Sequence, residues 1–246
     1  MTEQREVRPG MCWMVTRRMT RRHYLMRPDA DGVSEQLYWY FTIVAANRTA
    51  VKLHCVQAPS NHLHEVVDDV EGRLPRFYEL RNRWLAMALK EHREWDGEVF
   101  DKEGAHWLEL GTPEAMLQEL AYVITNCIHH GLTRTPGKWP GVKVLVDDIG
   151  RRVVRVERPD VWLDPDNPDW PPVAEMALEM PAMLVEAFGS EEAAREALRA
   201  KVDERAAEAR AENKRAGRGY LGAKRVMKTP FDAQATSDSE REGGKP

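Results

Sequence analysis

Between Met11 and Gly131 the chain alternates short extended segments with amphipathic ones, and that order limits the fold more than any single residue does. Met11–Thr16 is a short apolar run bounded by Pro9-Gly10 and by arginines, which reads as a buried strand. Ser34 offers an N-cap, and Leu37, Tyr38, Phe41, Val44 and Ala45 recur at helical spacing to about Asn47. Strands over Val51–Val56 and His62–Val67 follow, joined through Pro59-Ser60-Asn61 as a hairpin. A second helix runs from Leu74 to about Glu91 and a strand lies over Ala105–Leu110. A third helix is capped by Thr112, has Pro113 at its first position and ends at Gly131. The order β-α-β-β-α-β-α predicts an α+β fold: an antiparallel ferredoxin-like sheet with helices on one face and the other face open to a ligand. Its central strands are then the first and the one that carries His62 and His64.

His62 and His64 are two apart on a strand, so their imidazoles share a face at a separation of about 7 Å. Neutral imidazole is a common metal ligand. A lone His-x-His also fits two histidines that simply pack or are solvated, so a third group has to decide between them.

The remaining composition narrows the choice of partner. Thirty-six basic residues against forty acidic ones leave the chain near neutral, whereas the local charge is uneven. Seven arginines fall between Arg5 and Arg27, and six basic residues with no acidic one fall between Lys214 and Lys228. Such clusters suit a polyanion, or else a solvated face. Cys12, Cys55 and Cys127 are far apart in apolar contexts, which predicts reduced core thiols in a cytoplasmic protein. No apolar run reaches membrane-spanning length, so no membrane partner is expected.

Beyond Trp139-Pro140-Gly141 the texture changes. Residues 1–10 read as a flexible leader, 11–141 as the main domain, and 142–189 as a region wrapped over it, with Val142–Val146 and Val153–Val156 as short strands or extended connections and a Pro- and Asp-rich loop from Arg158 to Pro172. Residues 190–228 read as a helical, basic extension opened by Ser190, and 229–246 as a disordered tail.

The third helix carries Tyr122-Val-Ile-Thr-Asn126, and residues four apart share a helix face, so the phenol and the amide project together. The pattern Tyr-Val-x-x-Asn-x-Ile-x-x-Gly-Leu, followed by Trp139-Pro140 and taken with His62-Leu63-His64, resembles the single-strand HUH tyrosine transposases, in particular the REP-associated tyrosine transposase group. The resemblance spans Met11 to Gly141, with Met14-Val-Thr-Arg-Arg18 similar to the first strand and its basic exit. It implies His62, His64 and Asn126 as ligands of Mg²⁺ or Mn²⁺, and Tyr122 as the nucleophile that forms a 5′-phosphotyrosine link on single-stranded or hairpin DNA. Arg17, Arg18, Arg21 and Arg22 are then placed to follow phosphates. Where relatives have Asn-Pro, this chain has Asn126-Cys127, which alters the helix end and removes no reactive group. The expected assembly is a monomer or a homodimer.

Two other readings stay open. One is a domesticated protein that grips structured nucleic acid without cutting it. The other is a zinc-stabilised domain built on His54, Cys55, His62 and His64, whose alternating faces and spacing fit a structural zinc site poorly.

Overall fold

A computed structural model describes residues 7–233. The leader's first six residues and the tail from residue 234 onward lie outside the described residues. The first seven elements follow the expected order: β1 (Met11–Arg18), α1 (Val33–Thr49), β2 (Val51–Gln57), β3 (His62–Asp69), α2 (Leu74–Arg93), β4 (His106–Glu109) and α3 (Pro113–His129). The four strands form one sheet in the order β2-β3-β1-β4, each neighbouring pair antiparallel. This is the ferredoxin-like arrangement, with β1 and β3 at its centre.

Side chains on a strand alternate between faces, and β3 uses both. Glu65 points to the side of α1 and α2, where it receives two hydrogen bonds from Arg81 at 2.9 and 2.8 Å and one from the Tyr38 hydroxyl at 2.5 Å. All three residues are fully buried. His62 and His64 point the other way.

That second face is not left open as expected. α3 packs against it: the Gln57 side chain on β2 donates to Ile124 O at 3.3 Å and accepts from Cys127 N at 2.7 Å. α3 buries Met116, Leu120, Ala121, Val123, Ile124, Cys127 and Ile128, an apolar band too wide for one neighbour to cover. The sheet covers one side of the band, and α5 (Glu191–Arg215) covers another. The sheet's second face stays accessible where β1 and β3 meet the C-terminus of α3, and along β4, where His106 and Leu108 are exposed.

Ser34 is not the cap of α1. Gly32, left-handed at φ 77°, occupies that position, and the Ser34 amide and hydroxyl both bond to Asp29 Oδ2. A buried carboxylate five residues upstream competes better for these donors than Ser34 does for its own helix end. Asp29 also holds Arg93 and His92, the latter at 2.9 Å, and so ties the loop before α1 to the end of α2.

The stretch read as a wrapping loop has more structure than its composition suggests. Residues 142–146 form no strand of their own but run along the β2 edge, with Ala58 N bonded to Val142 O and Val144 N to Val56 O. They cover an edge that would otherwise be free to pair with another chain. β5 (Val153–Glu157) and β6 (Val173–Ala177) form a hairpin, α4 (Ala182–Phe188) follows, and between the strands Trp162 and Trp170 pack on Phe41. α5 begins as expected at Ser190, whose hydroxyl accepts from Ala193 N at 3.2 Å. α6 (Ala223–Lys228) closes the basic extension. No helix among the described residues is long and apolar enough to cross a membrane.

Candidate active site

The register of β1 on β3 sets Thr16 opposite His64 and Arg18 opposite His62. Strand alternation therefore puts Thr16, Arg18, His62 and His64 on one face. The two imidazoles meet edge to face with centroids 4.5 Å apart. Tyr122 arrives from α3, its ring 5.2 Å from that of His64 at 76°. One helical turn later comes Asn126, fully buried, and one turn beyond that His130, whose ring is 5.6 Å from that of His62. Gly131, at φ 64°, ends the helix there and leaves His130 at the rim. Thr16, Arg18, His62, His64, Tyr122 and His130 line a cleft of about 490 Å³ together with Arg22, Tyr24, Asn61, Arg218 and Leu221, and Asn126 is buried outside that lining.

Each histidine has one nitrogen committed. His62 Nδ1 bonds to Asn61 Oδ1 at 2.6 Å. His64 Nδ1 is 2.9 Å from Thr16 Oγ1, a hydroxyl that also lies 3.6 Å from Met14 Sδ. The Asn61 oxygen only accepts, so His62 donates from Nδ1 and leaves Nε2 bare, while Thr16 anchors the His64 ring at Nδ1 and turns its Nε2 away from β1. This is how protein ligands to metals are usually oriented, with the remote N–H fixed by a neighbouring oxygen.

The donor set passes a second test of fit. His64 Nε2 and both side-chain atoms of Asn126 are buried without a hydrogen-bond partner. Buried polar atoms left unpaired cost on the order of 1–3 kcal/mol each, so the bare His64 nitrogen and the Asn126 amide oxygen each favour a bound partner. Two imidazole nitrogens and an amide oxygen suit a divalent cation. Among the described residues no three His, Cys, Asp or Glu side chains form such a group, because the third donor here is an amide.

Charge in the site is tuned by burial. Burial, the like charges of His64, His130 and Arg18, and only weak opposition from Asn126 hold His62 well below the ordinary imidazole value. Burial, with His130 and Arg18, depresses His64 to about 3. Both rings are therefore neutral, as ligands must be. The Tyr122 phenol is pushed up by burial and by Glu119, against the lowering influence of Arg205, Asn126 and Arg18. The guanidinium of Arg205, on α5, lies 5.0 Å above the Tyr122 ring.

His62, His64, Tyr122 and Asn126, the four residues singled out for chemistry in the sequence, are thus brought together within one chain. The four arginines are not. Arg18 and Arg22 line the cleft. Arg21, exposed and at φ 47°, stands outside its lining. Arg17 is on the opposite face of β1, packed 5.2 Å over Phe100 and lowered in pKa mainly by burial. β1 continues two residues past its apolar run, and alternation carries Arg17 away from the histidines.

His130, Thr16, Asn61 and Arg205 are site residues that the motif left out. His130 was legible as the third member of the i, i+4, i+8 series begun by Tyr122 and Asn126; Arg205, from a distant helix, left no such signal. His54 does not join the site. It sits at a bulge in β2, between Asp68 at 3.0 Å and Glu179 O at 2.8 Å, and Cys55 is buried in the core, so the four-residue zinc arrangement is not formed.

No protein-family model and no curated protein matches this chain. A solved structure does, that of a REP-associated tyrosine transposase bound to a REP hairpin, with 14% sequence identity over 61% of this chain and 87% of that one and a TM-score of 0.50. At that identity the likeness is one of architecture, and in architecture this chain is REP-associated tyrosine transposase-like.

Proposed function

We propose that this protein is a metal-dependent tyrosine transposase, a nuclease and strand transferase that acts on single-stranded, hairpin-forming DNA. The observation that carries the reading is the convergence, in one chain, of Tyr122 on His64 beside the unpaired amide of Asn126. A sheet-and-helix scaffold shared with a hairpin-binding transposase supports it.

His62, His64 and Asn126 would hold the cation, Mg²⁺ or, better matched to imidazole, Mn²⁺. When bound, it polarises a non-bridging phosphate oxygen as a Lewis acid. The Tyr122 oxygen attacks phosphorus and the bond from phosphorus to the 3′-oxygen breaks. The phenolic proton is released to solvent and the leaving 3′-oxygen takes one up, which gives a 5′-phosphotyrosine and a free 3′-hydroxyl. The phosphoester energy is kept in the new link, so the step runs backwards onto another 3′-hydroxyl and amounts to strand transfer. Arg18, beside both imidazoles and the phenol, offsets the phosphate charge, while Arg22 and Arg21 follow the strand outward.

The test is a labelled single-stranded hairpin incubated with Mn²⁺ and resolved on a denaturing gel. Wild type gives a covalent adduct that Tyr122→Phe lacks. An adduct that survives the substitution would overturn the nucleophile assignment.

A second reading, a non-cleaving binder of structured nucleic acid, is favoured by one observation: the Tyr122 phenol is partly buried and its pKa is raised, which disfavours the nucleophilic form. Salt-sensitive hairpin binding with no metal-dependent adduct on any hairpin is its signature.

A further inference from the structure

α5 lies along α3 through a line of buried residues, Leu198, Val202, Ala206, Ala209 and Asn213. The two alanines permit close approach, and Asn213 Nδ2 locks the pair by donating to Ile128 O at 2.6 Å. Arg205 immediately precedes Ala206 at the edge of this line. Its side chain leaves the interface at the level of Tyr122 and lays the guanidinium over the ring, 5.0 Å from the centroid. His64 touches the same ring edge to face at 5.2 Å. The tyrosine therefore lies between a cation from α5 and an imidazole from β3.

From this geometry we infer that Arg205 is a positioning residue for strand cleavage: it presses the Tyr122 ring toward His64 and so keeps the phenol oxygen directed at the group formed by His62, His64 and Asn126. The inference rests on the proposed function, since a tyrosine needs holding only if it attacks. A half-buried tyrosine on a helix has more than one staggered side-chain rotamer, and a single one serves the attack. A planar guanidinium stacks on an aromatic face, which an ammonium does less well. The charge of Arg205 also reaches Glu119, one turn before Tyr122, so it sits over the stretch of α3 that presents the nucleophile.

The full-length protein with 3-fluorotyrosine placed at position 122 gives two readouts. The first is the ¹⁹F resonance in the absence of DNA. Arg205→Ala is expected to shift and broaden it as the ring gains rotamers, and Arg205→Lys to recover part of the shift. The second is the single-turnover rate of adduct formation with Mn²⁺ at saturating hairpin DNA, measured on protein with ordinary tyrosine. Arg205→Ala is expected to slow it by about ten- to a hundredfold, the cost of a misplaced reacting group, with hairpin affinity and melting temperature near wild type. Arg205→Lys is expected to lie in between. An ¹⁹F line in Arg205→Ala that superimposes on that of wild type overturns the inference whatever the chemistry does. So does an unchanged rate alongside an adduct that Tyr122→Phe abolishes. If wild type itself forms no Tyr122-dependent adduct, the proposed function falls and Arg205 has no reaction to serve.

Discussion

Thr16 on β1 and His64 on β3 are partners across the sheet, and their side chains meet at 2.9 Å from Oγ1 to Nδ1. One hydroxyl thereby fixes which imidazole nitrogen faces the cleft. Thr16→Val keeps the β-branched shape and removes the hydroxyl. It is expected to weaken Mn²⁺ binding by about tenfold or more, within the range seen for such outer partners. Calorimetric titration of the DNA-free protein checks this, and an unchanged dissociation constant would show that the ring is held some other way.

Arg17 and Arg18 are adjacent in sequence and opposite in orientation, so their substitutions should separate. Arg18→Ala and Arg22→Ala are each expected to weaken hairpin binding and to reduce the slope of log affinity against log salt by about 1. Arg17→Ala, which removes the contact with Phe100, is expected to lower stability and leave that slope alone. Filter binding at four or five salt concentrations distinguishes the three.

Glu65 and Arg81 form a buried pair supported by Tyr38. Glu65→Gln strands the guanidinium in the core and is expected to cost about 3–5 kcal/mol, whereas an apolar replacement of both partners should cost less than either single change. Urea unfolding of the two single variants and of Glu65→Leu with Arg81→Met tests the ordering. A double variant less stable than either single contradicts it.

Burial alone would raise the Asp29 carboxyl, but hydrogen bonds from His92, Arg93 and Ser34 outweigh it and hold the group far below the usual carboxylate range. A carboxylate depressed in the folded state adds stability that is complete above its unfolded value of about 4 and is lost as the pH falls below that toward the folded value. Asp29→Asn should therefore be less stable than wild type at pH 7, on the order of 3 kcal/mol for a broken buried pair. The gap should narrow as the pH drops below about 4. A gap independent of pH between 7 and 3 would be inconsistent with this account.

What the sequence disclosed follows from the range of its signals. Strands and helices announce themselves through local periodicity, so the order from β1 to α3 was readable, as was the shared face of Tyr122 and Asn126. The direction of Arg17 was not. β1 is buried on both faces, so its apolar pattern does not indicate which side carries the histidines; only the pairing of Thr16 with His64 does. The Ser34 cap failed because Asp29, outside the helix, claimed the donors. α5 was visible as a helix, but its seat on α3 depends on two alanines and an asparagine about eighty residues from their partners, and no local pattern encodes that. Of the hairpin of β5 and β6, the first strand was open to reading as a short strand at Val153–Val156, whereas the second was obscured by the Pro- and Asp-rich connection before it.

The loop that leads into β3 sets the register of everything the strand presents. Surface connections ordinarily tolerate added or deleted residues, and Ala58-Pro59-Ser60-Asn61 looks like such a connection. In β3, however, odd positions supply the carboxylate that Arg81 requires and even positions supply the imidazoles. One residue gained or lost without a compensating bulge would send Glu65 into the cleft and a histidine into the core, since a slip of one reverses every side chain. For this chain, length between β2 and β3 is as strict a requirement as the identity of His62 and His64. A screen of insertions should find this hairpin the least permissive turn in the molecule.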